Sequence, residues 1–214
     1  MKSLYIIGSG GFSKQVIEIV EEINIVSKEY ELTGIIDDNI SLIGKNVLGY
    51  KIVGDTNYLK HISDNQDIYA VIAIGEGKAR EKINNKLHNI KWPNLIHPKT
   101  VISKYISIGE GNIICGGVVI NPECRIGNHC NINIGCTLGH DVVLEDFTTL
   151  MPGCNISGNV EINRVSTIGT GSCIIQNTSI EENSIIGAGA VVLKDVEKNS
   201  VYVGVPASKI RDLD

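Results

Sequence analysis

His140 and Asp141 stand side by side in IGCTLGHDVV, residues 134–143, within a stretch otherwise rich in isoleucine, glycine and asparagine. Imidazole is the side chain that takes up and releases protons near neutral pH. Such a ring suits general-base catalysis, withdrawing the proton of an attacking amine or hydroxyl, and a positioned base contributes roughly 10²–10⁴-fold. Adjacent strand residues point to opposite faces, so Asp141 can reach the ring only at a corner. His61, His88 and His129 have no such neighbour and are read as surface or packing residues, and His97 in NLIHP is assigned no chemistry. No two histidines are spaced with a carboxylate as ligands would be, so no metal is expected.

A second group of candidates lies near the start. Gly8, Gly10 and Gly11 separate the apolar run Leu4 to Ile7 from Phe12, Val16, Ile19, Val20 and Ile23, which recur at helical spacing. A glycine turn at a helix start lets backbone N–H groups approach a phosphate. Ser13 occupies the place of the third glycine in GxGxxG, and a tight turn without a ligand is the alternative reading.

The elements that must position these residues follow from the pattern. YELTGIIDDN forms a second strand ending at Asp37, Asp38 and Asn39, and IYAVIAIG, residues 68–75, forms a third before a polar helix from near Gly77. Alternating strands and helices give an open parallel sheet whose ligands bind beyond the carboxyl ends of the strands. Gly10, Asp37 and Gly75 converge there. Only half of a dinucleotide fold is present, which favours a mononucleotide-type ligand over a nicotinamide oxidoreductase. Pro93 and Pro98 then break the pattern, and the boundary is placed near residue 95, giving domains of 1–95 and 96–214.

From Ile102 to Val192 an aliphatic residue recurs every six positions, sixteen hexads without a slip. That period marks a solenoid of β coils, each burying its aliphatic residue against its neighbours. The fourth residue after each aliphatic is usually small. Cys124, Cys130, Cys136 and Cys154 fall there and are read as packing residues. Glycine often follows the aliphatic, as at Gly109, Gly127 and Gly139, where a tight corner is expected. Neither rule accounts for His140.

Composition narrows the partners. A net charge of −5 without a Lys/Arg cluster argues against nucleic acid. No apolar run approaches a membrane span or a signal-peptide core, so a cytoplasmic protein with reduced cysteines is expected.

The hexads resemble the left-handed parallel β-helix of hexapeptide acyltransferases. With IIGSGG, IIDDN, AIG, NLIHP, GHDVVLEDF and YVGVPA, nearly the whole chain is similar to bacterial sugar acetyltransferases of the NeuD/PglD type. These are sialic-acid O-acetyltransferases and nucleotide-amino-sugar N-acetyltransferases. The resemblance implies an α/β Rossmann-like half-domain followed by an all-β left-handed β-helix of about five coils. It implies acetyl-coenzyme A as co-substrate, held between adjacent β-helices of a homotrimer. The acceptor would be a nucleotide-linked sugar of the 4-amino-4,6-dideoxy type, used to build bacterial surface glycans. His140 would act as general base with Asp141 beside it, in a direct transfer.

The positions matching coenzyme contacts are Asn133, Thr149, Gly158, Thr170, Ala188 and Pro206. Those matching nucleotide-sugar contacts are Gly8, Gly10, Gly11, Asp37, Asp38 and Gly75. The N–H of Gly139 or Gly158 is a candidate for stabilising the tetrahedral oxyanion. Arg164 departs from the family's small or polar corner and is expected to be solvated, while the domain junction is expected to bring the sugar to His140. O-acetylation of a sialic-acid-like sugar fits the same features. A non-catalytic scaffold or sugar-nucleotide sensor is the alternative of another class.

Overall fold

β1 (Lys2–Ile7) is apolar along both faces because both are covered. Leu4 and Ile6 pack against the helix α1 (Gly11–Ser27), and Tyr5 and Ile7 pack on the opposite side. A strand buried on both faces is the centre of a parallel sheet. β1 accordingly pairs in parallel with β2 (Tyr30–Ile36) and with β5 (Ile68–Ile72). The sheet order is β3-β4-β2-β1-β5-β6, completed by β3 (Asn46–Val47), β4 (Tyr50–Gly54) and β6 (Ile90–Lys91). The helices α2 (Thr56–Ser63) and α3 (Gly77–Lys86) lie on the side of Tyr5 and Ile7, through Leu59 and Ile83. This computed structural model describes residues 1–64 and 66–213.

The sequence pattern located β1, α1, β2, β5 and the start of α3. It did not reveal the β3–β4 hairpin or α2, whose start is set by Asp55 accepting the Tyr58 N–H at 2.8 Å. Ser13 is fully buried, its hydroxyl donating to the Gly10 carbonyl at 2.6 Å. A small residue suffices there for the helix to lie close to the sheet.

Leu95, the last residue assigned to the first domain, opens the second: Leu95–Ile96 pairs with Ile113–Ile114. Each strand then pairs with one eighteen residues on, as Ile113 with Asn131 and Asn131 with Thr149. Three faces result, making the left-handed β-helix a triangular prism. Face I carries Asn131–Ile132 and Thr149–Leu150, face II Thr137–Leu138 and Asn155–Ile156, and face III Val143–Leu144 and Glu161–Ile162. The chain ends with Ser200–Val203 on face I and the antiparallel Ser208–Asp212.

The interior is the aliphatic column together with the small column, as the hexad required. The small column also makes hydrogen bonds. The thiols of Cys124, Cys130 and Cys136 donate to the carbonyls of Gly139, Glu145 and Met151, each fifteen residues on, at 3.0–3.1 Å. Ser166 and Ser172 do the same to Glu181 and Gly187. Burial pushes the Cys130 thiol up to about 12, so it stays protonated.

The corners follow a different rule from the expected one. Gly111, Gly117, Glu123, His129, Gly135 and Asp141, six apart, have φ between 52° and 73°. The left-handed turn therefore falls three residues after the aliphatic, not one. The glycine directly after the aliphatic serves coil stacking instead: a Cβ on Gly139 would lie 2.5 Å from the Gly158 nitrogen.

Candidate active site

Leu138 is buried at the end of face II, and the chain turns through Gly139, His140 and Asp141 onto face III. Asp141 takes the left-handed conformation with φ 60°, which swings its carboxylate back beside the preceding ring. His140 Nδ1 and Asp141 Oδ2 are 2.7 Å apart. An ionised carboxylate only accepts, so Nδ1 carries the proton and Nε2 presents its lone pair. The ring is 70% exposed. The corner that the pair required is present.

One coil further along, Gly158 lies directly against this ring. A Cβ there would sit 2.7 Å from both Cε1 and Nε2 of His140. The Gly158 N–H makes no hydrogen bond among the described residues, whereas the Gly139 N–H is engaged by the Ile156 carbonyl at 2.8 Å. Of the two candidate oxyanion donors, only Gly158 is left free.

Beside Asp141 a groove of about 390 Å³ runs along face III. Glu123, Asp141, Glu161 and Asp195 supply four carboxylates to its lining, against the single guanidinium of Arg125. No residue of the first domain lines it.

The expected coenzyme positions fall on two separate edges of face II. Gly158 shares the II/III edge with His140. Asn133, Thr170 and Ala188 follow the face I strands ending at Ile132, Ile168 and Ile186, and so line the I/II edge. Pro206 lies in the exposed turn above that edge, where the Val191 carbonyl accepts the Ala207 N–H at 2.8 Å. Thr170, Ala188 and Pro206 are exposed and Asn133 is nearly buried. Thr149 belongs with none of them: it is 2% exposed inside the domain junction, its hydroxyl donating to the Gly75 carbonyl at 2.8 Å.

Of the six expected nucleotide positions, Gly8, Asp37 and Asp38 share one cavity. Gly8, Asp37, Asp38, Thr56 and Ile74 line a cavity of about 140 Å³ at the carboxyl ends of the strands. Gly8 has φ +102°, and a Cβ there would meet Ile74 Cγ1 at 2.9 Å, so only glycine fits. Asp37 accepts the Ser9 N–H at 3.0 Å, the Ser9 hydroxyl and the Asn39 N–H at 2.9 Å, which holds the glycine loop in shape. Asp38 accepts the Thr56 N–H at 2.8 Å. Gly10 and Gly11 face open space, and no side chain caps α1. Gly75 lies outside the cavity, its carbonyl already doubly bonded.

Sequence reasoning missed the junction itself. Arg80 is 1% exposed and joins the domains through six hydrogen bonds. Beside it His129 is packed edge-on to Trp92 at 5.0 Å and stacked on Phe147 at 5.4 Å. Burial, with the Arg80 charge adding to it, pulls the His129 pKa down to about 4. Arg164 is not merely solvated: its guanidinium pairs with Glu81 of α3 and lies 3.5 Å from Glu182. All of these sit at the III/I edge, whereas His140 stands on the II/III edge.

A nucleotide-type half-domain docked on a hexapeptide β-helix with an exposed histidine–carboxylate corner defines a two-domain β-helix transferase architecture. Residues 3–87 match the family described as the PglD N-terminal domain. A perosamine N-acetyltransferase variant from Caulobacter crescentus, in complex with CoA and GDP-perosamine, is 30% identical with a TM-score of 0.92, covering 99% of this chain and 98% of that one. The acetyltransferase domain of PglB from Neisseria gonorrhoeae, in complex with acetyl coenzyme A, is 29% identical with a TM-score of 0.88, covering 98% and 99%. WeeI from Acinetobacter baumannii is 30% identical with a TM-score of 0.84, covering 98% and 100%. The chain belongs to the PglD-like hexapeptide-repeat sugar acetyltransferases. An uncharacterized protein of Acanthamoeba polyphaga mimivirus is 33% identical over 125 residues, 58% of this chain, and the chain spans only 24% of its length.

Proposed function

We propose that this protein transfers the acetyl group of acetyl-coenzyme A to the amine of a nucleotide-linked amino sugar of the 4-amino-4,6-dideoxy type. The observation that carries this reading is the His140–Asp141 corner beside a groove with four carboxylates and one guanidinium. His140 Nε2 takes the proton as the neutral amine attacks the thioester carbonyl, forming C–N. The C–S bond then breaks, and the departing thiolate receives the proton from the imidazolium. Asp141 holds the ring in the tautomer that leaves Nε2 as the base. The Gly158 N–H, free and beside the ring, donates to the tetrahedral oxyanion.

The charge of the groove separates the two branches of the family. The amine of an amino sugar approaches as an ammonium group, is attracted, and gives one proton to solvent before it attacks as the neutral amine, whereas a sialic acid brings its own carboxylate among four others. N-acetylation is therefore preferred to O-acetylation.

The two edges of face II support a homotrimer with the coenzyme between copies. Asn133, Thr170 and Ala188 of one copy would meet Gly158 and His140 of the next, with face II at the contact. Val101, Tyr105, Ile175 and Leu193, each at least 40% exposed on that face and its II/III edge, are apolar surface suited to such a contact. The nucleotide would sit in the Gly8–Asp37 cavity, with its phosphates at the uncapped start of α1, and the sugar would reach the ring of a neighbouring chain. A reaction drawing on acetyl-coenzyme A and nucleotide sugars belongs in the cytoplasm, as a step in building surface glycans.

Thiol release from acetyl-coenzyme A tests the reading. UDP- and GDP-linked 4-amino-4,6-dideoxy sugars are compared with free and CMP-linked sialic acids. Rapid release with an amino sugar is expected; release with sialic acids alone would move the protein to the O-acetylating branch. Sedimentation is expected to give a trimer, and a monomer at assay concentration would remove the shared groove.

A further inference from the structure

Arg80 is a buried cation whose six acceptors are all carbonyl or hydroxyl oxygens. Nε donates to the His129 carbonyl at 2.9 Å, and Nη2 to the Phe147 and Thr148 carbonyls and Thr149 Oγ1 at 2.6–3.1 Å. Nη1 reaches back to its own domain, to the Ile74 and Gly75 carbonyls at 2.9 and 2.8 Å. Burial pulls its pKa down to about 10, which leaves it charged at neutral pH. Burying a charge without a carboxylate partner is costly, and an apolar residue of similar volume would often hold a junction as well. A planar fork does what an apolar residue does not: it fixes distances and angles to both domains at once.

The groups it joins have a further relation. Ile74 and Gly75 form the loop leaving β5, and Ile74 lines the nucleotide cavity. Each of these two carbonyls is held a second time from face I, Ile74 by Asn131 Nδ2 at 2.9 Å and Gly75 by Thr149 Oγ1 at 2.8 Å. Asn131 and Thr149 are the start and end of one coil, paired directly across face I. His140 lies on that coil, between them.

We propose that Arg80, with Asn131 and Thr149, is a positioning clamp that sets the height of the bound nucleotide sugar along the β-helix at the level of the His140 coil. The inference rests on the two-ligand transfer proposed above. Its signature is that each ligand still binds its own half-site while the chemistry between them fails, because misplacement of about 1 Å costs on the order of a hundredfold in rate.

The variants Arg80→Lys and Asn131→Leu test it, assayed as trimers at a temperature where circular dichroism shows them folded. Affinities for coenzyme A and for the nucleoside diphosphate are measured by calorimetry, and kcat with the nucleotide sugar by thiol release. The clamp predicts kcat lowered about tenfold or more with both affinities within about twofold of wild type. If Arg80→Lys does not fold, Asn131→Leu alone decides. A lowered Tm with kcat within twofold would make the cluster a stabilising contact only and overturn the proposal, as would affinity falling in step with kcat. A wild-type protein that binds both ligands and transfers nothing would instead remove the functional reading beneath it.

Discussion

Two corners of one prism carry histidines, and they have opposite characters. His129 takes the left-handed turn position between faces III and I, with φ 52°. His140 sits one place before that position between faces II and III. The repeat treats both as corner residues, and the interior columns beneath them have the same pattern. The difference lies in what covers them. The first domain docks on the III/I edge, so His129 is 2% exposed and held neutral between Trp92 and Phe147. The II/III edge is left bare, so His140 is open to solvent and paired with a carboxylate. In a repeating scaffold the chemistry of a corner is thus set by docking and not by the repeat.

The sharpest way to break the contrast is to crowd the open corner. Gly158→Ala places a methyl 2.7 Å from the His140 ring, which must move. Thiol release is expected to fall on the order of ten- to a hundredfold while the assembly state and melting temperature of the wild type persist. A milder change is Asp141→Asn, which keeps the shape of the corner but removes the charged acceptor for Nδ1. A loss of about tenfold in kcat is expected in the same assay.

The closed corner is tested through stability. The folded His129 pKa of about 4 lies below the ordinary imidazole value, so the unfolded chain takes up the proton first. The His129 contribution to stability is full above roughly pH 6.5, is lost by about 3 kcal/mol as the pH drops towards 4, and changes no further below. Urea unfolding followed by fluorescence of Trp92, the only tryptophan, reads this directly. His129→Leu should flatten the dependence, and an equally steep profile in that variant would place the acid sensitivity elsewhere. The smallest effect is expected at the start of α3. A Cβ on Gly77 would lie 2.5 Å from the Phe147 carbonyl, so Gly77→Ala should cost about 1–3 kcal/mol in the same experiment.

What the sequence made legible follows from the same contrast. The β-helix is legible because its period is local: each aliphatic and each small residue announces itself at a spacing of six. His140 and Asp141 stand out by failing to fit that pattern, and the IIGSGG and IIDDN turns mark the cavity that Gly8, Asp37 and Asp38 line. The docked edge left no such trace. Arg80 is one basic residue in a polar helix, and five of its six acceptors are backbone carbonyls, up to 68 residues away, which no side-chain pattern encodes. Thr149 is matched to a coenzyme contact by resemblance alone, yet on face I it is covered where the first domain lies. Arg164 likewise reads as solvated until α3 brings Glu81 beside it. Local periodicity specifies the spring, while contacts across long separations decide which of its corners remain open.

The most direct measurement is the rate of thiol release from acetyl-coenzyme A with a UDP- or GDP-linked 4-amino-4,6-dideoxy sugar, for wild type and His140→Ala. The open corner predicts a loss of roughly 10²–10⁴-fold in kcat in a variant that stays folded, keeps the wild-type assembly state and still binds coenzyme A. An unchanged rate in that variant would contradict the assignment of the reaction to this corner.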